Sequence, residues 1–161
     1  MGKGADQQIT RQYGIYQDKE LQIYINKIGQ SLVLKLSDKI FSNYYFRIVD
    51  SSEINAFALP GGYIVLNTGL IEISDKPEEI AAVLGHEIGH VTARHSVRQI
   101  SQAQVLSIIS YAVAREAGSA AGDLTNIASG ALVAGYGRDM ELQADSLGAE
   151  YMAKQGYSAS G

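Results

Sequence analysis

Apolar side chains recur at helical spacing between Asp18 and Lys35, at Leu21, Tyr24, Ile25, Ile28 and Leu32, and this predicts one amphipathic helix. Asp38 to Asn43 reads as a connector. From Tyr44 to Val49 the pattern alternates and favours β-forming residues, so a strand is predicted. Ile54 to Leu59 is a second extended stretch, stopped by Pro60, and Pro60-Gly61-Gly62 is a turn signal. Tyr63 to Leu66 is a third strand, closed by Asn67-Thr68-Gly69. Three short strands in succession predict a small meander, and so a mostly antiparallel sheet.

The period turns helical from Asp75 onward. Asp75 is the candidate cap, Pro77 falls in the first turn, and Glu78 and Glu79 suit the positive end of a helix predicted to reach about Gln99. A second helix is predicted over about Ser101 to Glu116, followed by a small-residue break at Gly118 to Gly122. A third helical stretch loosens at Gly135-Tyr136-Gly137 and resumes from Arg138 to Lys154, with Gly156 as its C-terminal stop. A helix, a small sheet and then several helices make an α+β arrangement, mostly helical.

Length and composition narrow the function classes. The 161 residues fit one compact domain, and 46% apolar against 19% charged residues excludes global disorder. The net charge of -4, with no Lys/Arg run, argues against nucleic acid as the main partner. The absence of cysteine removes disulfides, thiolate metal sites and cysteine nucleophiles together. The best candidate for a membrane span, Ala103 to Ala114, is broken by Gln104, Ser107 and Ser110 and is shorter than the ~20 apolar residues a span needs. Met1-Gly2-Lys3-Gly4 carries no apolar signal segment.

The chemistry lies in His86-Glu87-Ile88-Gly89-His90, an H-E-x-x-H motif inside a predicted helix. Residues four apart share a helix face, so both imidazoles can reach one ion while Glu87, beside the first, can take a proton from a metal-bound water. The alternative is a chance spacing on a solvated face. The small and apolar neighbours Ala81, Ala82, Val83, Leu84, Ile88, Gly89 and Val91 argue instead for a buried helix, where unpaired imidazoles are costly. A third protein ligand is needed. The position six past His90 is Ser96, so a third histidine at that spacing is absent, and His95 falls off the ligand face and is expected to be a surface or capping residue. Glu141-Leu142-Gln143-Ala144-Asp145 offers a better solution: Glu141 as ligand and Asp145, one turn on, as acceptor for the ring N–H of a ligand histidine. Ala144 and Gly148 would keep that helix slim. Taken alone, the two carboxylates read as a solvated acidic stripe; coupled to the upstream motif, which leaves zinc short of a ligand, they read as a ligand and its neighbour.

With these residues in place the chain resembles the BepA, Oma and HtpX type of gluzincin zinc peptidases. The resemblance rests on His86–His90 followed by Tyr136-Gly137-Arg138-Asp139-Met140-Glu141-Leu142-Gln143-Ala144-Asp145, on Asn55-Ala56-Phe57-Ala58-Leu59-Pro60-Gly61-Gly62, and on Gln12-Tyr13-Gly14. It implies a zincin-like domain spanning 1–161, one zinc ion held by His86, His90 and Glu141, and Glu87 as catalytic base. It also implies polypeptide substrates from envelope protein quality control and a periplasmic or envelope location. Asn55 and Ala56 would bind substrate on an edge strand, the alternative being a plain meander strand. Arg138 is expected to form a structural salt bridge with Asp139 or Asp145, the alternative being that it orders the Glu141 helix. Family members continue with a segment carrying a His and an Arg at the site; this chain stops at Gly161, so a C-terminally truncated domain is expected, with Tyr136 or His95 as stand-ins for an oxyanion donor. Two rivals to a zinc endopeptidase are a zinc-organised module that holds unfolded clients without cutting them, and a purely structural zinc site.

Overall fold

The computed structural model describes residues 14–99, 101–102 and 135–157, together with positions 4, 7 and 11. Helix α1 (Lys19–Val33) starts where the Asp18 carboxylate accepts the Leu21 N–H at 3.0 Å, and it buries Ile25, Ile28, Leu32 and Val33. The sheet follows as β1 (Tyr45–Val49), β2 (Ala56–Leu59) and β3 (Tyr63–Asn67), in spatial order β1-β3-β2.

The predicted meander is corrected here. β2 and β3 form an antiparallel hairpin, turned by Gly61 and Gly62 at φ 96° and 84°, but β3 runs parallel to β1 and lies between the other two strands. Residues 50–55 carry the chain past the end of β3 to the far edge. Ser51 anchors that crossing, its carbonyl accepting the Gly69 N–H at 2.9 Å and the Thr68 hydroxyl at 3.0 Å. Alternation along each strand shows which face is buried and carries no record of strand order, so a mixed sheet was hidden from it. The Asn67-Thr68-Gly69 turn signal proves to be the entry to a short helix, α2 (Thr68–Ile73).

Helix α3 (Pro77–Thr92) has Lys76 in the cap position without a side-chain bond. Asp75 is not the cap as expected; it lies one residue outside, where the Glu79 carboxylate reaches back to accept its N–H at 2.8 Å. The helix also stops well before Gln99. Arg94 adopts a positive φ of 56°, and helical backbone resumes only at 95–99 in a new direction. Helix α4 (Arg138–Gln155) ends, as predicted, at Gly156 with φ 94°. The predicted helix over Ser101 to Glu116, apart from residues 101–102, lies outside the described residues. So do the break at Gly118 to Gly122, the start of the third helical stretch, and Gln12 and Tyr13.

The main core joins α1, α3 and α4 to one sheet face through Ile25, Leu32, Phe46, Ile48, Leu66, Leu84, Ile88 and Tyr151. Each such large side chain contributes about 1.5–3 kcal/mol on burial. The domain is α+β and mostly helical, and no helix among the described residues is long and apolar enough to cross a membrane.

Candidate metal centre

Helices α3 and α4 cross almost backbone to backbone. A Cβ on Gly89 would stand 2.9 Å from the Ala144 carbonyl oxygen, and one on Gly148 would stand 2.8 Å from the His86 backbone nitrogen. Gly85 and Gly89 on one helix thus face Ala144 and Gly148 on the other, each pair one turn apart. The carboxylates that flank Ala144 on α4 are thereby brought to the two histidines of α3.

Three donor groups converge. His86 Nε2 lies 3.1 Å from one Glu141 oxygen, His90 Nε2 lies 3.4 Å from the other, and the two Nε2 atoms are 2.9 Å apart. Four-coordinate ligands held at ~2.0–2.1 Å from an ion stand about 3.3 Å from one another, so the spacing suits a metal.

The outer contacts point to one set of tautomers. His86 Nδ1 is 2.7 Å from Asp145 Oδ1, and an ionised carboxylate only accepts, so His86 carries its proton on Nδ1 and turns a lone pair inward. His90 Nδ1 is 2.8 Å from His95 Nδ1, and His95 Nε2 is 2.8 Å from Gln143 Oε1. The amide oxygen accepts, so His95 is protonated on Nε2. Its Nδ1 then accepts from His90 Nδ1–H, and His90 also turns a lone pair inward. Two lone pairs and a carboxylate facing one another, with no proton to share, form an arrangement that a cation relieves. Burial, reinforced by His86 and His95, pushes the His90 pKa down to about 3, so the ring is neutral as a ligand must be. Tyr136 stacks on the His90 ring at a 4.0 Å centroid distance.

Glu87 lies beside the cluster, only 6% exposed. Among the described residues its Oε2 has no hydrogen-bond partner. Burial, with the Glu141 charge adding to it, pushes its carboxyl up to about 8 against the lowering effect of the Ala58 backbone N–H. A buried, unpaired oxygen next to three converging donors marks a place for a polar ligand.

His95 overturns its expectation. It is completely buried, not a surface or capping residue, because the break at Arg94 folds the chain back under His90. The off-face placement assumed an unbroken helix. Gln143 was not foreseen at all; the only signal was that a chain with three histidines has all of them within ten positions. Neither expected oxyanion stand-in presents a spare donor. Both His95 nitrogens are engaged, and the Tyr136 hydroxyl, pushed up to about 12 by burial, bonds Ser96 and, at 3.3 Å, the Ala58 carbonyl. Among the described residues Arg138 makes no ion pair with Asp139 or Asp145; adjacent side chains on a helix do not face each other, and Asp145 is held by His86.

Strand β2 is a sheet edge near the cluster. The Asn55 carbonyl accepts the Asn67 N–H at 3.0 Å, so residues 55, 57 and 59 form the hydrogen-bonded pairs with β3. Ala56 and Ala58 therefore turn their backbone groups outward. The Ala58 carbonyl is already taken by Ser96 and Tyr136. The two expected substrate contacts thus differ: Ala56 presents backbone to the open edge, whereas Asn55 is exposed with its carbonyl committed to β3.

Comparison with known proteins agrees with this geometry. Residues 17–161 match the model of peptidase family M48. The chain is 31% identical over 169 residues to the beta-barrel assembly-enhancing protease of Yersinia pestis, which covers 98% of this chain and 34% of that protein. It is 32% identical over 120 residues to the metalloprotease YcaL of Escherichia coli K12, covering 72% of this chain and 47% of that one. It is 34% identical over 114 residues to the mitochondrial metalloendopeptidase OMA1 of Arabidopsis thaliana, covering 68% of this chain and 22% of that one. The chain thus spans about a third of the length of the beta-barrel assembly-enhancing proteases it matches. Metalloprotease relatives imply a metal, His86, His90 and Glu141 are the described residues that could hold one, and the match over most of its length shows that the chain belongs to peptidase family M48.

Proposed function

We propose that the chain is the catalytic domain of a zinc-dependent endopeptidase, with His86, His90 and Glu141 as metal ligands, Asp145 orienting His86, and Glu87 as general base. The observation that carries this reading is the convergence of both inward-facing Nε2 lone pairs on the Glu141 carboxylate, with an unpaired Glu87 oxygen beside them. Two nitrogens and a carboxylate form a zinc donor set of the catalytic kind, which leaves one position open. A closed structural site needs a fourth protein ligand, and among the described residues the metal-ready group contains these three alone.

Zinc in such a site supplies a bound water with its pKa lowered toward ~7 and a polarised carbonyl. The protein does the rest. A positive charge among the donors opposes the desolvation that raises Glu87, so the carboxylate is available to take the water's proton and pass it to the leaving amine. The outward N–H and C=O of Ala56 can hold an extended peptide as an added strand, and the Asn55 side chain sits at the entrance to that edge. Polypeptides are accordingly the substrate class. The named role of the Yersinia relative supports a place in envelope protein quality control, with unassembled envelope proteins as substrates.

A fluorogenic-peptide or casein assay with a chelator control tests this reading against one in which clients are held but not cut. Glu87→Gln should keep zinc and lose hydrolysis by about 10²–10⁴-fold. Retained turnover in that variant removes the base assignment, and chelator-insensitive turnover removes the metal.

A further inference from the structure

We infer that His95, held by Gln143, is a positioning residue that locks His90 in the tautomer able to bind metal. The inference rests on the proposed role of His90 as a ligand. His90 is 1% exposed and His95 is 0% exposed, so no bulk water reaches the space between them to substitute for a lost acceptor. His90 Nδ1 and His95 Nδ1 are 2.8 Å apart, and His95 Nε2 and Gln143 Oε1 are also 2.8 Å apart. Each link dictates the next. An acceptor at Gln143 puts the His95 proton on Nε2, this frees His95 Nδ1 to accept, and acceptance there puts the His90 proton on Nδ1. Reversal of any link places a proton on His90 Nε2, where it blocks coordination.

The arrangement differs from the one at His86, where a single carboxylate accepts directly. His90 instead uses a neutral two-residue relay that begins on α3, passes through the turn after Arg94 and ends on α4. Gln143 is exposed and lies two residues past Glu141, so the helix that supplies the third ligand also supplies the terminal acceptor. The relay therefore reports whether α4 is docked: with α4 displaced, His90 loses its fixed proton position at the same moment that Glu141 leaves. Removal of an outer acceptor of this kind typically lowers metal affinity about 10–100-fold.

The test compares His95→Asn, His95→Leu and Gln143→Ala with the wild-type chain. The Asn side-chain oxygen can stand where His95 Nδ1 stands, whereas Leu offers no acceptor. Nitrogen-15 NMR of the metal-free proteins reads the His90 tautomer, and competition with a chromophoric chelator reads zinc affinity. Wild type and His95→Asn should hold the proton on His90 Nδ1 and bind zinc within a few-fold of each other. His95→Leu should show a mixed tautomer and bind about 10–100-fold more weakly. Gln143→Ala, at an exposed position where truncation leaves the core intact, should shift the tautomer in the same direction and so serves if His95→Leu does not fold. Wild-type His90 protonated on Nε2 overturns the inference. So does a folded His95→Leu, or failing that Gln143→Ala, with unchanged tautomer and affinity. A wild-type protein that shows the Nδ1 tautomer but binds no zinc instead refutes the metal reading and leaves the relay standing.

Discussion

At the scale of single residues, Glu87 is the most exposed to test because its environment makes a pH prediction. Its carboxyl is pushed from 4.5 in the unfolded chain to about 8 in the metal-free fold, so the folded state holds that proton more tightly. Stability from this group is complete below 4.5 and is lost as pH rises toward about 8. Chelator-treated protein should therefore weaken over that window, by up to about 1.4 kcal/mol per pH unit from this group. Glu87→Gln, which cannot ionise, should lose this dependence. Urea midpoints of both proteins at pH 5 and pH 8 read the difference, and parallel pH profiles would contradict the burial argument. The same residues show how much of the site was legible. His86, Glu87 and His90 stood out as one motif with a one-turn spacing, whereas Glu141 and Asp145 stood out only when coupled to that motif. His95 and Gln143 could not, because a single positive φ at Arg94 reverses the direction in which position 95 points.

At the scale of elements, the site exists because α3 and α4 approach at glycine-width separation. The Gly85, Gly89, Ala144 and Gly148 contact sets where Glu141 ends up relative to the rings. Gly148→Ala places a methyl 2.8 Å from the His86 backbone nitrogen, which α4 can accommodate only by moving away. The expected result is a stability loss of about 1–3 kcal/mol together with weakened zinc binding. Gly137→Ala is the control, since a Cβ there meets nothing within 4 Å. Equal zinc affinity in the two variants would show that the crossing does not set the site. Element boundaries were readable where the apolar period began cleanly, as at Asp18, or where a stop residue had no competitor, as at Gly156. They differ from expectation at Asp75, whose N–H is held by Glu79 while the cap position falls to Lys76 with no side-chain bond, and at the sheet, where residues 50–55, anchored by Ser51 to Thr68 and Gly69, carry the chain past β3.

At the scale of the whole molecule, a helical layer on a three-stranded mixed sheet places the edge strand β2, half-buried at Ala56 and buried at Ala58, beside the His-His-Glu cluster. In the proposed reading the helices fix the donors and the sheet offers the backbone rail, so chemistry and substrate alignment would come from different layers of one fold. The measurement that bears most directly on this account is diffraction at the zinc absorption edge from crystals grown with zinc. The account predicts a single anomalous peak within ~2.0–2.2 Å of His86 Nε2, His90 Nε2 and a Glu141 oxygen. A chain that takes up no zinc there, or a peak that Glu141 does not touch, would contradict it.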